Sequence, residues 1–133
     1  MSKDANNVIR IPSNLKTNFF RYWVEFLTPI HHLNNKEKDV LAILIKNKFE
    51  LSQRTNDEEI INKMLFDRDL ANENAKQIGM SKVFYKAVIS SLRSKGIIEN
   101  KTEINKKLLP KALNPDDNSC KLLLYFDLSA RDN

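Results

Sequence analysis

The sequence predicts a mainly α-helical chain with a small β-hairpin, an α+β class, on three observations. Residues 70–98, LANENAKQIGMSKVFYKAVISSLRSKGII, read as two helices joined by a tight turn at Gly79, the second opening at Ser81 and stopping at Gly96. Residues 35–49 carry Val40, Leu41, Leu44 and Ile45 as one apolar stripe at helical spacing. Ile97-Ile98 and KLLLYFD (Lys121 to Asp127) read as short strands that pair with each other.

Taken in order, the first dozen residues are polar and extended, and Pro12 marks their end. Ser13 reads as the cap of a helix running through Leu27, with Leu15, Phe19, Tyr22, Trp23 and Phe26 at three-and-four spacing. Thr28-Pro29 is expected to end it, since proline cannot donate to the helix ladder. The aromatic face has two readings: core packing, or a docking surface for a second copy or another protein, with Phe19, Tyr22, Trp23 and Phe26 as interface candidates. Asn34 and Glu37 form a capping box for the helix Asn35 to Phe49. Asp57 caps a short helix through Ile60, Ile61, Met64 and Leu65, and Asp67 or Asp69 starts the one leading to Gly79. Ala75 is small enough for two helices to approach closely, and Gly79 can adopt the left-handed conformation that turns one into the next. After Gly96, Ile97-Ile98 begins a strand and residues 99–102 are turn-like. The Lys-rich stretch 103–111 is held to the core by Ile104, Leu108 and Leu109, and residues 114–119, NPDDNS, form a loop before the strand at 121–127.

Composition narrows the function. A chain of 133 residues, 41% hydrophobic, supports one core and is too short for two ordinary domains. The sequence has no apolar run of membrane-spanning length and no leader pattern, so a soluble, cytoplasmic protein is expected. Cys120 is the single cysteine, which excludes an internal disulfide and a thiolate metal cluster. Two glycines in the whole chain argue against phosphate-cradling loops, and no nucleotide fingerprint is present. His31-His32 lacks the further ligands a metal site needs, and Asp57, Glu58 and Glu59 read as charges favoured by a helix N-terminus. Cys120 reads as a small buried residue rather than a nucleophile. No acid, base and oxyanion stabiliser assemble, so an enzyme, a cofactor and a small-molecule substrate are not expected.

Charge is concentrated instead. Between Lys76 and Lys111 lie nine basic residues against only Glu99 and Glu103, a surplus of seven, whereas the rest of the chain is slightly acidic. Such a field concentrates a polyanion at the surface and releases its counterions on contact. On the helix that opens at Lys82, Phe84, Val88 and Leu92 recur every four residues, with Val83 and Ala87 beside them, and are expected to face the core. Lys82, Lys86, Ile89, Ser90 and Arg93 then face outward, and Tyr85 sits at the border between phosphate contact and core packing. The candidate contacts to double-stranded DNA are Ser81, Lys82, Tyr85, Lys86, Ser90, Arg93 and Lys95, joined by Lys101, Lys106 and Lys107 beyond the helix. Lysine favours phosphate over base discrimination, and no Asn or Gln lies on that outward face, so affinity is expected to exceed selectivity.

The order of helices, helix-turn-helix and hairpin resembles the winged helix-turn-helix superfamily. The resemblance is carried by Asn34–Ile45 (NNKEKDVLAILI), by Ala75–Leu92, and by SLRSKGII, Ser91 to Ile98, as the junction from recognition helix to wing. It covers residues 34–128 and implies a division into a flexible segment 1–12, an aromatic helix with linker 13–33, a winged-helix domain 34–128 and a tail 129–133. The wing is longer than usual and interrupted by Pro110 and Pro115. The whole chain, including FFRYWVEFLTPIHHL at Phe19–Leu33, also looks similar to small proteins of crAss-like tailed bacteriophages. That likeness implies an intracellular phage product or a virion component. Two functions follow as expectations: a DNA-binding regulator of transcription or replication, or a non-enzymatic part of a portal, neck or packaging complex.

Overall fold

Five helices in succession lead into a short hairpin: α1 (Phe19–His31), α2 (Asn35–Ser52), α3 (Glu58–Leu65), α4 (Arg68–Gln77), α5 (Lys82–Ser94), β1 (Ile98–Glu99) and β2 (Glu103–Ile104), followed by a 3-10 turn at Lys106–Leu108. The structure, a computed structural model, describes residues 9–15, 18–100, 102–110, 120 and 128–129. Among the described residues the class is mainly helical with one small antiparallel sheet. No helix among the described residues is long and apolar enough to cross a membrane.

The caps place most of the helices. Asn34 Oδ1 accepts from the N–H of Glu37 and Glu37 Oε1 accepts from the N–H of Asn34, both at 2.9 Å, which closes the expected capping box at the start of α2. Asp57 accepts from the N–H groups of Glu59 and Ile60 to open α3. Of the two aspartates considered for α4, Asp67 is the cap. Ser81 Oγ accepts from the N–H of Phe84 at 3.1 Å to open α5. Gly79, at φ 67°, makes the turn between α4 and α5, and the N–H of Met80 returns to the Ala75 carbonyl at 2.8 Å. At the other end of α5, Gly96 sits at φ 76°, and the N–H of Ile97 returns to the Leu92 carbonyl at 3.0 Å.

The first helix differs from expectation at both ends. Ser13 does not cap it. The N–H of Asn14 donates to Asn18 Oδ1, while the N–H groups of Asn18 and Phe19 donate to the Asn14 carbonyl, so a closed turn precedes a helix that begins at Phe19. Pro29 does not end it. A proline this near a C-terminus forfeits one ladder bond, and α1 continues to His31 before His32, at φ 54° and ψ 49°, closes it with an N–H donated to the Thr28 carbonyl.

One core runs through the described helices. It takes Phe20, Trp23, Val24 and Leu27 from α1, Val40, Leu41, Leu44 and Ile45 from α2, and Tyr85, Val88, Ile89 and Leu92 from α5, with Ile97, Ile98, Ile104 and Leu108 from the hairpin region. The stripe expected on α2 is buried in full. Phe20 meets Phe19 edge-on at 5.0 Å and tilts against Phe49 of α2 at 5.7 Å. Around this interface Arg21 and Lys38 tie α1 to α2 through Glu25 and Asp39.

The hairpin is tighter than the sequence suggests. Ile98 pairs with Ile104 and Glu99 with Glu103, so Glu99 belongs to a strand and not to the turn. Residues 103–104, read as part of a long basic connection, form the second strand. Asn100, at φ 50°, supplies the left-handed residue of the turn. Alternation explains the pairing: Ile98 and Ile104 both face the core while their glutamate neighbours look outward. The strand expected at 121–127 lies outside the described residues.

Candidate nucleic-acid interface

The helix α5 is held in place from below by polar groups as well as by packing. Tyr85 is 3% exposed, and its hydroxyl accepts from Asn74 Nδ2 at 3.2 Å. Asn74, itself buried on α4, accepts from Asn47 Nδ2 of α2 at 3.0 Å. This chain links three helices and corrects the placement of Tyr85: its ring is core, and it does not belong to an outward-facing set. Burial raises the pKa of the hydroxyl, only partly offset by the bond from Asn74. Tyr85→Phe removes the acceptor for a buried amide, and a loss of about 1–2 kcal/mol is expected in urea unfolding at unchanged slope.

The burial of Tyr85 rotates the whole helix relative to the expected phase. The buried row is Tyr85, Val88, Ile89 and Leu92. Ile89, expected outward, is therefore in the core, while Val83 is 81% and Phe84 44% exposed, and Ala87 is exposed as well. Two apolar rows competed on this helix. The row with Tyr85 faces inward, and Asn74 removes the cost of burying its hydroxyl, a partner eleven residues away that helical spacing does not reveal.

The basic candidates fare differently. Lys82, Lys86, Ser90 and Arg93 all lie exposed on α5, and Ser81, just before it, is exposed with its hydroxyl engaged in the cap. Lys95 does not serve there. Its Nζ donates to Glu37 Oε1 at 2.6 Å and to the His32 carbonyl at 3.0 Å, tying the end of α5 to the start of α2. Glu37 is 1% exposed and also accepts from Ser91 Oγ at 2.5 Å. Burial alone pushes the Glu37 carboxyl up, but the Asn34 N–H, the Lys95 ammonium and the Ser91 hydroxyl together outweigh it and hold the group below its ordinary value. Lys95, expected among the DNA contacts, is thus an internal tie, brought only by the fold to a buried carboxylate 58 residues away.

Beyond the helix, Lys106 and Lys107 are exposed on the 3-10 turn, where Asn105 Oδ1 accepts from the N–H of Lys107. Lys106 lies 3.9 Å from Glu103, an exposed contact of little energetic weight. Lys101 lies outside the described residues. A shallow depression between α4 and the start of α5 is lined by Asn72, Glu73, Lys76, Ser81 and Lys82.

The aromatic candidates on α1 divide. Trp23 is buried, and its Nε1 donates to the Leu108 carbonyl at 2.8 Å, so it is a core residue and not an interface anchor. Phe19 is partly buried against that core. Tyr22 and Phe26, four residues apart on one face, remain 42% and 39% exposed.

His31 and His32 end α1. Among the described residues no group of three or more His, Cys, Asp or Glu side chains is placed to hold a metal ion. Cys120 is partly buried, and burial raises its thiol pKa. No family model, curated protein or solved structure matches the chain.

Proposed function

We propose that the protein binds double-stranded DNA as a winged-helix module, with α5 as its recognition helix, and serves as a phage-type regulator of transcription or replication in the host cytoplasm. The observation that carries this reading is the exposed pair Lys82 and Lys86 in the first two turns of α5, on one flank of the buried row. The N-terminal part of such a helix is the part that enters a major groove. Neither lysine is in an ion pair with a described residue, so both are available to phosphates. Lys106 and Lys107 on the hairpin side add charge for the flanking backbone, and the local surplus of seven positive charges supplies the long-range attraction.

The test is a fluorescence-anisotropy titration with a mixed-sequence duplex across a salt series. Wild-type binding should fall steeply with salt, and Lys82→Ala with Lys86→Ala should weaken it and reduce the log–log slope by about two. Absence of binding at low salt defeats the reading. An unchanged slope in the double variant removes α5 from the interface.

A second reading, a structural component of a phage particle, rests on Tyr22 and Phe26, whose exposed rings would anchor a protein partner or a second copy. Light scattering after size exclusion tests the second copy directly. A dimer in wild type that becomes a monomer in Tyr22→Ser with Phe26→Ser favours it.

A further inference from the structure

The outermost line of α5 is not basic. Val83, Ala87, Ser90 and Ser94 follow one another at i, i+4, i+7 and i+11, all exposed, directly opposite the buried row of Tyr85, Val88, Ile89 and Leu92. Lys82, Lys86 and Arg93 run alongside as a parallel row on one flank. The crest of the helix is thus made of small side chains, apolar at its N-terminal end and hydroxylic further along. Val83 leads it as a β-branched residue 81% exposed, an apolar group left in water by the fold.

From this arrangement we infer that Val83, supported by Ala87 one turn on, is a specificity-determining residue that contacts thymine methyl groups in the major groove. The inference rests on the DNA-binding reading above and deepens it. The thymine C5-methyl is the one apolar group that base edges present in that groove, and short apolar side chains are its natural complement. Small residues along the crest let the helix seat deeply, while the lysine row at its flank meets the phosphates. The same cations disfavour a protein partner on this face, because lysine is depleted from the cores of protein interfaces. Selectivity for thymine-containing steps therefore adds to the charge-driven affinity, in contrast to the backbone-only binding expected from the lysines alone.

Deoxyuridine substitution isolates the methyl group. Anisotropy titrations at one fixed salt concentration compare a short A·T-rich duplex with its twin in which every deoxythymidine is replaced by deoxyuridine. Wild type should favour the thymine duplex by about fourfold for each methyl group buried. Val83→Ser, at a largely solvated position, should bring that ratio towards one, with circular dichroism verifying the fold. Binding of both duplexes with equal affinity overturns the inference while the DNA-binding reading stands. Preference for the thymine duplex that survives in Val83→Ser assigns the methyl contact to another group and also overturns it. Binding of neither duplex removes the DNA-binding reading itself, and this inference with it.

Discussion

Replacing Glu37 by alanine should lower the unfolding free energy by about 3 kcal/mol, at the low end of the range for breaking a buried ion pair because Lys95 is itself partly exposed. The carboxylate performs two tasks that no other residue can take over. It completes the capping box of α2, and it receives Lys95 and Ser91 from the last turn and C-terminal end of α5. Truncation takes the acceptor from the half-buried Ser91 hydroxyl and leaves the partly exposed Lys95 ammonium only the His32 carbonyl. For a chain of 133 residues the corresponding fall in Tm is roughly 10 °C. Glu37→Gln keeps the volume and part of the hydrogen bonding, so its cost at neutral pH is smaller.

The same residue makes stability depend on pH with a defined sign. Because the Glu37 pKa is lowered on folding, its contribution is present above the unfolded carboxyl value of about 4.3 and is lost as pH falls through the folded value. The stability gap between wild type and Glu37→Gln should therefore be widest near neutrality and close on acidification below that range. Urea unfolding of the two proteins at neutral and acidic pH measures this directly. A gap of constant size would show that Glu37 is not titrating in the way its hydrogen bonds require.

The second large effect concerns Trp23. Trp23→Ala should cost about 4 kcal/mol, since it empties the space of an indole packed among α1, α2 and the hairpin region and also strips the Leu108 carbonyl of its donor. Trp23→Phe retains most of the ring volume and loses the 2.8 Å bond with a small part of the packing, for roughly 2 kcal/mol. Hydrogen exchange provides the local readout. In Trp23→Phe the amides of residues 104–109 should lose protection before those of α2, because the indole is the polar tie between the 3-10 turn and the first helix.

The helices of this chain are legible where capping chemistry and periodicity agree. Asn34 with Glu37, Asp57 and Ser81 each sit immediately before an apolar run, and each caps a helix where that pattern places it. Legibility fails where one residue has two acceptable environments. Phe84 and Tyr85 are both aromatic and both begin a plausible buried row, and the choice depends on whether the hydroxyl finds a partner. Asn74 supplies that partner, and an asparagine in a polar helix carries no sign that it will be buried. Lys95 fails for a related reason: its sequence neighbourhood is that of a solvated helix end, and its acceptor belongs to a helix far away in the chain. At Pro29 the helix gives up one ladder bond and still runs two residues further, to the left-handed His32 that closes it. Of the proposed interface, Lys82 and Lys86 could be read from spacing alone. The exposed Val83 could not, because the competing phase turns it towards the core.

The only two glycines of the chain stand at either end of α5, both with positive φ and neither with a neighbour within 4 Å of where a side chain would begin. The boundaries of this helix are thus written in backbone conformation and in the cap at Ser81, and its anchorage in one buried row together with Ser91 and Lys95. Positions 82, 83, 86, 87 and 90 carry no share of either task. Such a division leaves 82, 83, 86, 87 and 90 open to replacement without penalty to folding, so a lineage, or a randomised library built on this scaffold, can explore new targets by changing those five side chains while everything beneath them stays the same.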